Sequence, residues 1–151
     1  MSTTTRTTTR TLRAEDIDVC ARLTGDLGAH HMGGHGDRRM AQGALTLSVV
    51  PLLAEPGVHM RDLSLTFLAP VYAGDTVTAT VRATEAEAGA ATEAGEVAAE
   101  TAELPADHAL LTCEITVVNG AGTPVLTGTG IAELPRTMAD GLLDTPAQEG
   151  S

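Results

Sequence analysis

Three of the five histidines in this 151-residue chain fall in one stretch, GDLGAHHMGGHGD from Gly25 to Asp37, beside five glycines and two aspartates. So many glycines suit no regular element, so the stretch reads as a loop. Its carboxylates and imidazoles are the groups of proton transfer and of metal binding. Asp26, His30, His31, His35 and Asp37 supply enough nitrogen and oxygen ligands for a zinc-type ion. Their spacing matches no strong metal signature and no cysteine pair stands nearby, so no metal is expected. Asp26 and His31 stand five positions apart, which does not place two side chains on one helical face. They converge only if the loop folds back on itself, and Gly25 and Gly28 permit such a turn.

The elements around this loop must position it. AEDIDVCARLTG carries Ile17, Cys20, Ala21 and Leu23 near helical spacing, with Glu15 and Asp16 at its start, and predicts a short helix ending at Gly25. After the loop, Ala44 to Ala54 is apolar almost all round, as in a buried helix that kinks at Pro51 or ends just before it. The pattern then turns to period two. Leu63, Leu65 and Phe67 alternate with polar residues, as do Val77, Ala79 and Val81, with Pro70 and Gly74 as turn punctuation between them. ALLTCEITVVN and TPVLTGTGIAEL follow as two more strands, joined by the hairpin chemistry of Asn119 to Gly122. The stretch from Thr84 to Asp107 is low in complexity, and its part from Val97 to Leu104 reads as an edge strand or a short helix.

Composition narrows the classes. Hydrophobic residues make up 42% and charged residues 19%, with Trp absent and Tyr72 and Phe67 the only aromatics, so the core must be aliphatic. Nine arginines and no lysine against twenty acids leave a net charge of −11, which argues against nucleic-acid and anionic-membrane partners. The N-terminus lacks the apolar segment of a secretory signal, which points to a cytoplasmic protein. Cys20 and Cys113 are too few for a disulfide framework and read as core thiols, while His59 and His108, beside strand starts, read as surface residues. Residues 1–11, nearly all Thr, read as a disordered arm, 12–136 as a single domain, and 137–151 as a mostly disordered tail. An early buried helix and an antiparallel sheet with one apolar face must bury each other. The expected fold is therefore α+β: a hot-dog fold, in which a curved antiparallel sheet wraps a central buried helix.

Four segments in order, LTGDLGAHH, AQGALTLSVV, LSLTFLAPVYAGDTVTATV and ITVVNGAGTPVLTGTGIAELP, resemble the MaoC-like dehydratases, a hot-dog group that includes the R-specific enoyl-CoA hydratases. The resemblance spans roughly residues 12–135. That family carries Gly-Asp-x-Asn-Pro-x-His on an overhanging loop, His-Gly-Met at the start of a helix, and Phe-x-x-Pro-Val-x-x-Gly-Asp-Thr on a strand. The last is intact as Phe67, Pro70, Val71, Gly74, Asp75 and Thr76, although Asp75 itself reads as a turn residue. The first keeps Asp26 and His31 but has Gly28 and Ala29 for Asn-Pro, and Gln42 stands where His precedes Gly43. The loop between is short, twelve positions from His31 to Gly43.

The resemblance implies a lyase, a hydratase or dehydratase that adds or removes water at the α,β position of an acyl thioester. Such chemistry needs a proton carrier near the α and β carbons, a group that orients water, and stabilisation of an enolate-like oxygen. His31 would serve as base, and Asp26 would orient and protonate. The backbone N–H groups of Gly43 and Ala44 would hold the carbonyl oxygen. Ser48 corresponds to a small polar position near the substrate, and Arg38 and Arg39 would meet phosphates of coenzyme A or of a carrier-protein pantetheine. Coenzyme A or pantetheine is then part of the substrate, and no separate cofactor is expected. A homodimer is expected, since one sheet on one helix leaves an edge uncovered. Two alternatives stand beside this reading: a hot-dog enzyme adapted to cyclisation or elimination in secondary metabolism, and a non-catalytic subunit.

Overall fold

The period-two stretches and the N-terminal threonine run form five strands, β1 (Thr3–Thr11), β2 (His59–Phe67), β3 (Thr76–Glu85), β4 (His108–Val118) and β5 (Pro124–Pro135). They make one antiparallel sheet in the order β1-β3-β4-β5-β2. The helices are α1 (Ala14–Thr24), α2 (Ala29–Met32), α3 (Gly43–Leu47) and α4 (Arg136–Asp144). These come from a computed structural model, which describes residues 2–33, 38–86 and 104–145. The stretch from Val97 to Glu103, His35 and Asp37 lie outside the described residues.

The N-terminal threonines are not an arm. Along its whole length β1 pairs with β3, from Thr3 opposite Thr84 to Thr11 opposite Thr76. Threonine is β-branched and suits a pleated surface, and its hydroxyl can bond across strands. Thr9 meets Thr78 at 3.0 Å and Thr11 meets Thr76 at 2.7 Å. A polar, repetitive composition looked unable to compensate its ordering entropy, yet a backbone ladder and a row of hydroxyl pairs do so without a large apolar face. The chain's end also differs from expectation: Arg136–Asp144 is helical, held by buried Ala139 and Leu142.

The buried helix is shorter than its apolar run. α3 ends at Leu47, and Leu52 takes a left-handed φ of 74° just after Pro51, so the backbone turns where proline prevents the helix from continuing. The run still serves the core. Leu45, Val49, Val50 and Leu52 pack in one cluster with Val77, Ala79 and Val81 of β3 and Leu111, Cys113 and Ile115 of β4. Both cysteines are buried and free, and burial pushes the Cys113 thiol up to about 11. His108, expected at the surface, is part-buried instead, with Nδ1 2.7 Å from Glu133. Among the described residues no helix is long and apolar enough to cross a membrane.

The strand assignment of the threonine segment has a direct check in amide hydrogen exchange. Roughly half the amides between Thr3 and Thr11 should exchange at least ~10²-fold slower than in a free peptide, because an edge strand donates alternate N–H groups to its neighbour. Exchange of all of them at the free-peptide rate would return the segment to an unstructured arm.

Candidate active site

The site begins where α1 stops. Asp16 accepts the Arg13 N–H at 2.9 Å at the helix start, and Ile17, Cys20 and Ala21 turn its apolar stripe inward. Gly25, left-handed at φ 74°, ends it by donating its N–H to the Ala21 carbonyl at 2.9 Å. The chain then folds back. Thr24 Oγ accepts the Asp26 N–H at 3.2 Å, and the single turn of α2 follows, closed by Gly33 at φ 82°. The result brings Asp26 Oδ2 to 3.2 Å from His31 Nε2, the convergence that the five-residue spacing requires.

His31 is buried at 6% exposure, whereas the Asp26 side chain is 49% exposed, so the carboxylate caps the imidazole from the solvent side. His31 Nδ1 lies 2.7 Å from the Met40 carbonyl, which can only accept, so Nδ1 donates and the neutral ring leaves its lone pair on Nε2. The α2 turn is tied down by Arg39. Its Nε donates to the His31 carbonyl at 2.7 Å and its Nη2 to Asp18 Oδ1 at 2.6 Å. That guanidinium holds the Asp18 carboxyl below its ordinary value.

A cavity of about 570 Å³ opens beside this pair. His30, His31 and Met40 form one side, Gly43 and Thr46 of α3 another, and the segment from Phe67 to Val71 most of the rest. A methyl group added at Gly43 would stand 2.8 Å from the Phe67 ring, so only glycine lets that ring lie against the start of α3. Gln42, 2% exposed, donates from Nε2 to the Ile17 carbonyl at 3.1 Å and so fastens the start of α3 to α1.

Several expected substrate contacts lie elsewhere. Ala44 and Ser48 are exposed and do not line the cavity, and Ser48 donates to the Leu45 carbonyl at 2.6 Å, the usual bond of a helical serine to its own backbone. Arg39 is committed to the α1–α2 clip. Arg38 pairs with Asp75 at 3.2 Å and lies 4.3 Å over the Tyr72 ring, and neither arginine lines the cavity. Asp26 reaches His31 and is not among the residues that line the cavity. Sequence reasoning passed over Thr46 and His30 as cavity residues. Thr46 follows Gly43 at i+3, the same helical face, which is the available signal; His30 gives none, because a glycine-rich stretch carries no helical pattern for the α2 turn. Among the described residues no group of three potential metal ligands converges.

No protein-family model and no curated protein matches the sequence. Solved structures do. An (R)-hydratase from A. caviae, involved in PHA biosynthesis, superposes with a TM-score of 0.66 at 21% identity, covering 89% of this chain and 97% of its own. The R-hydratase PhaJ1 from Pseudomonas aeruginosa gives 0.61 at 19%, covering 87% and 79%. A MaoC-like dehydratase from Rhodospirillum rubrum gives 0.63 at 15%, covering 87% and 90%. The chain has the hot-dog fold. Identities this low carry the architecture and nothing finer. Within the hot-dog scaffold the features described above, the Asp26–His31 contact and the glycine beneath Phe67, rest on this chain's own geometry.

Gly43 and Phe67 should be energetically coupled. Gly43→Ala displaces the outer edge of the Phe67 ring, which is 55% exposed and can swing aside, so its cost is expected to stay below about 1 kcal/mol, and Phe67→Ala should relieve part of it. Chemical denaturation of both single variants and the double variant should give a coupling of about 0.5 kcal/mol, whereas strict additivity would mean that the two residues do not press on each other.

Proposed function

We propose that this protein is a hydratase or dehydratase of acyl thioesters, with His31 as its base. The observation that carries the proposal is that His31, oriented by Asp26 and by the Met40 carbonyl, lines the same cavity as Gly43. With Nδ1 bonded to the Met40 carbonyl, a neutral His31 presents Nε2 as an acceptor, beside Asp26 Oδ2 at 3.2 Å. A water that donates to Nε2 would turn an oxygen lone pair toward the cavity. The oxygen bonds to Cβ of an enoyl thioester, a proton passes to His31 Nε2, and Cα takes a proton, so one water is added overall. Dehydration runs the same steps backward.

The thioester carbonyl gains negative charge as Cβ is attacked, and donors aimed at that oxygen lower the barrier. The Gly43 and Ala44 N–H groups precede the helix's own hydrogen bonds, which begin with the Leu45 N–H donating to the Gln42 carbonyl at 3.0 Å, and Gly43 lines the cavity. Gly43 and Ala44 are assigned to hold the oxygen, the Ala44 contribution being its amide alone. The walls from Phe67 to Val71 are apolar apart from backbone and would receive the acyl chain. Either coenzyme A or a carrier-protein pantetheine would lead the thioester in. Phe67 and Leu68, more than half exposed at the cavity, fit a site completed by a second copy of the chain.

Asp26→Asn and His31→Ala should each lower kcat/KM on crotonyl or 3-hydroxybutyryl thioesters by ~10² or more, with circular dichroism unchanged. Turnover undiminished in both variants removes the assignment.

A further inference from the structure

Asp26 is not among the cavity-lining residues, whereas His30, exposed to solvent, is one of them. Its ring centroid is 3.8 Å from that of His31, the two planes tilted by 48°. It occupies room that a side chain at position 28 would take. A Cβ built on Gly28 would meet His30 Cε1 at 2.8 Å and Nδ1 at 3.1 Å, and Asp26 Oδ1 at 3.5 Å. The absence of a side chain at Gly28 is therefore what allows the imidazole to fold back into the Asp26–His31 turn. The backbone fixes its base: the His30 carbonyl accepts the Met40 N–H at 2.8 Å, so residue 30 is locked to the same strand of loop that supplies the partner of His31 Nδ1.

We infer that His30 is a second catalytic residue, the acid that protonates Cα while His31 accepts the proton of water. The inference rests on the proposed hydratase reading. In the balanced step the water oxygen bonds to Cβ and its proton goes to His31. The electron pair of the Cα–Cβ π bond then takes a proton from the His30 imidazolium. His30 ends neutral and His31 protonated, and transfer between the adjacent rings or through solvent restores the starting state.

The test is steady-state hydration of crotonyl-CoA by the full chain, by His30→Gln and by His31→Gln. His30→Gln should lose ~10² in kcat with KM within a few-fold. A glutamine keeps the polarity and approximate size but carries no transferable proton, so a merely structural role would leave kcat near the wild-type value. Wild-type kcat in His30→Gln, with His31→Gln inactive, would overturn the inference and leave the hydratase reading standing. Absence of any turnover by the wild type counts against the hydratase reading instead. In that case the histidine ring signals in NMR decide: His30 resonances that stay unmoved at saturating crotonyl-CoA overturn its placement at the ligand, and resonances that move with those of His31 support it.

Discussion

The contact between Asp26 Oδ2 and the His31 imidazole is the constraint on which the rest of the site depends. Nδ1 donates to the Met40 carbonyl, which fixes the orientation of the ring, and Nε2 faces the carboxylate at 3.2 Å. In the neutral ring this places a lone pair beside a negative charge, and a proton is the natural complement of that pair. The sheet and α1 are the frame that holds it, and the Arg39 clip to Asp18 keeps the turn of α2 from drifting off α1.

A short connection from His31 to Gly43 is what makes the arrangement compact. Met40 N–H to His30 carbonyl and Met40 carbonyl to His31 Nδ1 form a reciprocal pair of bonds across it. The segment thus returns to α2 before entering α3, and Gln42 secures the start of α3 against α1. Where a second histidine stands in the resembling family, this chain uses an amide as a structural tie. Both cavity histidines, His30 and His31, stand on the α2 turn.

Much of this was legible in the residues. Period-two alternation located β2 to β5, and the glycine and acidic residues around Ile17 and Cys20 bounded α1. The spacing of Asp26 and His31 announced a turn, and Gly25 in left-handed conformation makes it. Three features escaped for physical reasons. The threonine strand has no large apolar alternation, and its stabilisation lies in a ladder to β3 that begins 65 positions away at Thr76. The helix after Gly43 stops early because Pro51 removes a donor and the following Leu52 turns left-handed, whereas hydrophobicity alone extends it. The arginines beside Met40 were assigned to phosphates because their partners, Asp18 and Asp75, come from remote parts of the chain.

The central claim is that His31 and the amide of Gly43 face one ligand across the cavity. The most direct measurement is a crystal structure with butyryl-CoA, the saturated thioester, which keeps the carbonyl but has no double bond to hydrate. The account predicts the carbonyl oxygen at about 3 Å from the Gly43 nitrogen, with the carbon equivalent to Cβ on the Nε2 side of His31. An analogue bound elsewhere, or one seated with its reactive carbons turned away from His31, would contradict it.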